Sequence, residues 1–428
     1  MVEEKKLPTN TEINVNQLPS DMPGTPKGGF KLPFLNKKSL LLLIPIFLVI
    51  ALAAFLLLRT SDQDKKVMSL SYYADQAFQK GDYGTAQKYL TSALKIKKND
   101  PALLASTVKI IASKGNYTGR EDSTFEETKP YIDQALKAGP NDPDVLISVG
   151  YAYETAGEYQ KAFEFYDKAT KVDPNSSDAW FHRGHVQEFL GKKAGAQKDY
   201  DTAHKLDSNS PLVLMVKGNR LLSEGKQQEA FESFLKASKT PNINLQIKSE
   251  ALTAASIVRR NQDDYRYIRE ALELSRKAVE ASPNFSPALA AHGYNLFLVK
   301  EEEDGIDHLK KSIKANPRIS RNYHTLSLLY RGKKDFIKAV NYNKEAIFGA
   351  ESDNTLLTSG ARQVVKGRYT YDLAKTYSLS GLEVDIVPLL EEAIRLNPQL
   401  KSLVSDDFNK YGVFKELADN KSFINLLN

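Results

Sequence analysis

Alanine recurs with similar neighbours at Ala93, Ala135, Ala169, Ala203, Ala237, Ala278, Ala346 and Ala393, with Ser312 at the one substituted position. The successive gaps are 42, 34, 34, 34, 41, 34, 34 and 47 residues. A period of 34 kept over this distance restricts the chain to a repeat architecture, in which each unit buries its apolar face only against its neighbours. The longer gaps read as insertions. Two of them fall near residues 115–125 and 349–367.

The clearest unit spans residues 143–174. Leu146, Val149, Gly150 and Tyr153 have helical spacing, and Gly157 interrupts them. Ala162, Phe165, Tyr166 and Ala169 mark a second helix, which Pro174 ends. The next unit aligns through Trp180, Gly184, Gly191, Ala196, Tyr200 and Ala203, and the one after through Gly218, Gly225, Ala230, Phe234 and Ala237. Small residues at Gly150, Gly184 and Gly218 let two helices approach. Tyr166, Tyr200 and Phe234 fill the space between neighbouring pairs. Unit six departs, with Arg259 at the small-residue position, and unit nine has Ile386 where an alanine is expected.

The order Trp180, Gly184, Ala196, Tyr200, Ala203, with prolines closing several units, resembles the tetratricopeptide repeat. The resemblance covers about residues 67–398 in nine units. It implies an all-α solenoid of helix–turn–helix repeats whose first helices line a concave face that holds a peptide. Carried over position by position, it places Tyr151, Glu154, Phe181, His182, His185, Met215, Asn219, Tyr294, Phe297, Arg321, His324 and Arg331 on that face. The Lys/Asn/Arg set that clamps a C-terminal carboxylate in some relatives is missing from the aligned positions. Residues 399–428 read as a cap, with Phe408, Tyr411, Phe414 and Leu417 on one helical face and Phe423, Leu426 and Leu427 on a second.

The N-terminal part has a different composition. Residues 1–38 carry Pro8, Pro19, Pro23, Pro26 and Pro33 without apolar periodicity, the pattern of a disordered tail. Residues 39–58, SLLLLIPIFLVIALAAFLLL, contain no charge. A helix of that length spans about 30 Å, so the segment is expected to cross a membrane and contact its lipid. Residues 59–66 read as a linker. Lys27, Lys31, Lys37 and Lys38 precede the span; Arg59, Lys65 and Lys66 follow it. The slight excess points to a cytoplasmic N-terminus and a solenoid outside the cytoplasm, as in a bacterial cell membrane protein.

Other chemistry finds little support. Cysteine is absent, which excludes disulfides, thiolate metal sites and cysteine nucleophiles. No phosphate-binding loop, nucleophile elbow or dinucleotide fingerprint occurs, so no catalytic residue or cofactor is expected. His182, His185 and Glu188 share a helix face but lack a fourth ligand, and no metal is expected. Arg259, Arg260, Arg266, Arg269, Arg276 and Lys277 interleave with Tyr265 and Tyr267, yet Asp263, Asp264, Glu270, Glu273 and Glu280 nearly cancel them. That stretch reads as a solvated, ion-paired face with no nucleic-acid partner. Glu301, Glu302, Glu303 and Asp304 fall at a turn, where they favour a helix start. The expected function is a non-enzymatic, membrane-anchored scaffold for a protein or peptide partner in an envelope or membrane complex. A purely structural spacer or oligomeric component without a peptide ligand is the second reading.

Overall fold

Helix boundaries follow from local chemistry. Asp82, Asp100, Asp142, Ser176, Asn244 and Asp335 each accept a backbone N–H from the first turn of the helix they precede. Such caps satisfy donors that have no partner inside the helix. Proline stands in the first turn after Asp100, Asp142 and Ser210, where its missing N–H costs nothing.

The computed structural model describes residues 62–427 except 242, 263–264, 354 and 357–358. Among the described residues it holds twenty α-helices and no strand. Eighteen of them pair as antiparallel hairpins, one per unit. Unit one is α1 (Asp62–Gln79) and α2 (Tyr83–Ile96), and unit two is α3 (Pro101–Thr118) and α4 (Glu121–Ala138). Unit three is α5 (Pro143–Thr155) and α6 (Tyr159–Val172), and unit four is α7 (Ser177–Phe189) and α8 (Lys193–Leu206). Unit five is α9 (Pro211–Ser223) and α10 (Gln227–Ser238), and unit six is α11 (Leu245–Arg260) and α12 (Tyr265–Ala281). Unit seven is α13 (Ser286–Leu298) and α14 (Glu302–Ala315), and unit eight is α15 (Ser320–Gly332) and α16 (Phe336–Gly349). Unit nine is α17 (Ser359–Ser380) and α18 (Val387–Leu396), followed by α19 (Leu400–Asn409) and α20 (Lys421–Leu427).

The expected membrane span at 39–58 and the tail at 1–38 lie outside the described residues. No helix among the described residues is long and apolar enough to cross a membrane. Helix α1 begins at Asp62, inside the stretch read as a linker.

All nine period-marking residues, Ser312 included, are fully buried. They sit in the last turn of each second helix, where a larger side chain would push the next hairpin away. Their carbonyls close the helix end: Lys97, Gly139, Asp173, Asp207, Asn316 and Asn397 donate to positions 93, 135, 169, 203, 312 and 393. Ser177, Ser249 and Ser286 on the paired first helices donate to Ala203, Ala278 and Ser312 in the same way. The repeat position therefore combines a steric and a polar requirement.

The hairpin interior has its own rule. A Cβ on Gly150 would stand 2.7 Å from the Tyr166 ring, and one on Gly218 would stand 2.5 Å from Phe234. The glycine is the seat of the ring. At the turn between the two helices, the backbone is left-handed at Gly157, Gly191 and Gly225, with φ of 78°, 74° and 77°. Lys300 and Lys334 hold the same place in units seven and eight, with φ of 72° and 62°.

Stacking the units curls the chain until its start meets its later part. The unit-one turn at Gly81 faces Gln246 and Ser282 of unit six. Tyr117 of unit two stacks on Tyr83 at 6.0 Å and meets Phe285, ahead of α13, edge-on at 6.0 Å. Asp122 lies 3.7 Å from Arg318, between units seven and eight. First helices of distant units therefore face one another across the inside of the curl.

The C-terminal cap differs from expectation. The helix carrying Phe408 stops at Asn409, because Gly412 and Phe414 are left-handed, with φ of 64° and 65°. Tyr411 points outward, 72% exposed, while Phe414 turns inward and is fully buried beside Tyr371 and Phe423. The four residues do not share a helical face. Phe423, Leu426 and Leu427 do lie on α20.

Candidate functional site: the first-helix face

The twelve expected groove residues divide into two ion-bonded bundles, a set of packing residues and an open set. The first bundle joins units three and four. Glu154, in the last turn of α5, accepts from Tyr166 Oη at 2.6 Å and from His185 Nδ1 at 2.7 Å. His182 Nδ1 lies 3.4 Å from the same carboxylate but is not aligned for a hydrogen bond and has no other partner. Burial alone would raise the Glu154 carboxyl; His185 and His182 outweigh it and hold the group well below the usual carboxylate range. Burial likewise lowers His185, but the facing Glu154 charge raises it above its ordinary value. Two histidines one turn apart on α7 thus serve one carboxylate on the neighbouring hairpin. They are an internal tie between units.

The second bundle joins units eight and nine. Asp372, 1% exposed on α17, accepts from Arg331 Nη1 at 3.1 Å, from His324 Nε2 at 3.1 Å and from Arg368 Nε at 2.9 Å. His324 also stacks on Tyr369 at 4.3 Å. Burial would raise the Asp372 carboxyl, and the surrounding cations hold it well below its ordinary range instead.

Three expected groove residues are packing elements. Phe181 is buried in one cluster with Tyr200 and Val213, at the seam from unit four to unit five, and its ring also meets His185 at 6.1 Å. Met215 packs against Leu214, Ala237 and Ala251. Phe297 packs against Ile306 and Leu309 of its own hairpin and Leu326 and Tyr330 of the next. Tyr151 is half-buried, edge-on to His182 at 5.9 Å, and faces Ser113 and Asn116 of unit two. Burial pushes its hydroxyl up to about 12.

Asn219, Tyr294 and Arg321 remain open. Asn219 lines a cleft of about 440 Å³ between units four and five, with Glu188, Tyr200, His204 and Lys217. Tyr294 and Arg321 line another of about 380 Å³ across units six to eight. Cavities of this order hold a few ligand side chains.

The structure adds three residues to this face. Tyr117 closes the curl, as described above. Glu250 on α11 faces the Tyr117 hydroxyl and His185, and burial pushes its carboxyl up to about 7 against those two favourable partners. Arg260 ends α11, and its guanidinium lies over the Tyr294 ring at 4.7 Å. The repeat register misplaces this stretch: Ser256, whose Oγ donates to the Ala271 carbonyl at 2.7 Å, holds the place of Gly184 and Gly293, so Arg259 is not at the small-residue position and Arg260 lies about one turn beyond the position of Tyr151. Glu250 and Tyr117 gave no signal, since their meeting depends on the curl.

Arg259 also departs from the solvated-face reading. It is 8% exposed, with its guanidinium 3.5 Å from the Phe231 ring centre and 4.9 Å from that of Tyr267. It pairs with Glu270 at 2.8 Å. Arg276 and Lys277 do keep to the surface, paired with Glu273. The acidic run lies as expected at the start of α14, where Lys333 of the next unit meets Glu302 at 3.4 Å and also pairs with Glu303.

Residues 143–186 and 165–230 each match a description of the tetratricopeptide repeat. No curated protein matches the sequence. Among solved structures, a chain of the APC/C hetero-tetramer Cut9-Hcn1 is 16% identical, with a TM-score of 0.53 over 73% of this chain and 57% of that one. This chain thus spans little more than half of that relative's length. PilF of Pseudomonas aeruginosa is 20% identical over 47% of this chain and 89% of its own, with a TM-score of 0.39. The human IFIT1 dimer with m7Gppp-AAAA is 15% identical over 80% of this chain and 84% of its own, with a TM-score of 0.48. Residues 143–230 carry tetratricopeptide repeats, set within an all-α helical-repeat solenoid.

Proposed function

We propose that the chain is a membrane-anchored tetratricopeptide scaffold that holds an extended segment of a protein partner against its first-helix face. The apolar run at 39–58 supplies the anchor and its lipid contact. The solenoid works outside the cytoplasm, close to the bilayer, in the assembly of an envelope or membrane complex, and has no catalytic part. The observation that carries the reading is the state of the first-helix face. Its internal charges are satisfied by two bundles, yet Asn219, Tyr294 and Arg321 still line open clefts of side-chain size. Helix packing alone gives no reason to leave polar and aromatic groups open there. Peptide grooves combine pockets for side chains with polar groups that set orientation.

The test is affinity purification of the full chain from membranes. Asn219→Lys combined with Arg321→Glu should lose the partner. Ile337→Glu on α16, a 73% exposed second-helix position, should keep it. Equal recovery with both variants favours the spacer reading. Protease protection of intact cells, with tags at both ends, tests the orientation: the solenoid should be digested from outside.

A further inference from the structure

The cleft across units six to eight has an unbalanced charge. Arg260 enters from α11 and Arg321 from the first turn of α15, with Tyr294 of α13 between them. Ile257, Ile319, Thr325 and Leu328 are part of its wall. Neither arginine has an ion-pair partner among the described residues. The nearby carboxylates are engaged elsewhere. Asp353 accepts from the backbone N–H groups of Ser320 and Thr355, both at 2.8 Å. Asp372 is held by Arg331, His324 and Arg368.

Arg260 is half-buried, and burial, with Arg321 nearby, disfavours its charge; only Tyr294 offsets this. A guanidinium removed from water without an anion is costly, and a planar carboxylate is its best-matched partner. The apolar wall beside it suits the stem of a side chain.

We propose that this cleft receives one carboxylate of the bound peptide, held between the guanidinium groups of Arg260 and Arg321. The inference rests on the groove reading above and specifies the ligand that the groove selects. The pair is not the Lys/Asn/Arg clamp, which this sequence lacks at the aligned positions. Peptide is favoured over nucleic acid because Glu188 lines the neighbouring cleft on the same face and opposes a chain of phosphates.

The experiment is affinity selection by the full chain in detergent from synthetic random nine-residue peptides. One library has free C-terminal acids and the other is amidated. The wild type should enrich Asp or Glu, or a free terminus. Enrichment in the amidated library assigns an internal side chain, and enrichment only in the free-acid library assigns the C-terminal carboxylate. Arg260→Ala with Arg321→Ala should lose the enrichment and bind the selected peptides about tenfold more weakly. Arg260→Glu with Arg321→Glu should select Lys or Arg instead. Replacing Glu by Gln in a selected peptide should weaken wild-type binding by a similar factor, which needs no protein variant. Peptides of equal composition from wild type and Ala variant would overturn the carboxylate site and leave the groove reading standing. No captured peptide from either library would remove the groove reading, and this inference with it. Tight binding of a 5′-phosphorylated ten-nucleotide oligoadenylate, lost in the Ala variant, would replace the carboxylate by a phosphate.

Discussion

Units three to five and units six to nine build the same hairpin with different chemistry. In the first group a glycine on the first helix seats a ring from the second, and a left-handed glycine makes the turn. In the second group the small seat is kept by Ser256, Gly293, Ser327 and Gly367, Arg259 is clamped between Phe231 and Tyr267, and lysines make two of the turns. Asp372 then ties units eight and nine through three cations. The small seat is therefore common to both groups. Both also carry a carboxylate tie, Glu154 in the first and Asp372 in the second, and the second adds the pair without a counter-charge, Arg260 and Arg321.

The largest expected effect is on the Asp372 tie. Asp372→Ala leaves Arg331 and His324 without their buried counter-charge and should cost about 3 kcal/mol, read by chemical denaturation. A loss under about 1 kcal/mol would mean that the bundle contributes little. The steric seat comes next. Gly218→Val drives a side chain into Phe234 and should cost about 2 kcal/mol, seen as a lower denaturation midpoint. The turns predict an effect of opposite sign. Lys334→Gly relieves a left-handed lysine and should stabilise by about 1 kcal/mol, while Gly225→Lys should destabilise by a similar amount. If both variants are neutral, the two classes of turn are equivalent.

The smallest effect is a pH dependence. His185 has its ordinary value raised by Glu154, so its contribution is fully present below pH about 6.5 and is lost as pH rises through the folded value. A third of the side chain is exposed, which keeps the effect modest. The melting temperature of wild type over His185→Gln should therefore narrow between pH 6 and pH 9. Glu154 behaves oppositely at the acid end: its contribution is present above about pH 4.5 and is lost on further acidification. A constant difference for His185→Gln from pH 6 to pH 9 would dissolve the first bundle as an ionic tie.

The repeat itself was legible because period, small residues and rings are local signals. Ala169 and Ala203 mark the units, and Gly150 with Tyr166 marks the hairpin. The roles of the first-helix residues were only partly legible. Spacing placed His182 and His185 on one face but could not show that Glu154, a unit away, uses both. Phe181 has the spacing of a groove residue and packs instead, since neighbour seams are set by stacking distance. Glu250 and Tyr117 meet residues far along the chain, and pairings produced by the curl leave no periodic trace. At the C-terminus, Phe414 has helical spacing, yet the left-handed turn at Gly412 reverses its direction.

The most direct test of the first-helix face as the binding surface is photocrosslinking in living cells. A photoreactive amino acid would be placed in the full chain at Asn219 or Leu328 on first helices, and at Ile337 or Phe348 on the exposed side of α16. The account predicts a discrete partner adduct from Asn219 and Leu328, and none from Ile337 or Phe348. Adducts confined to α16, or absent from all four positions, would contradict it.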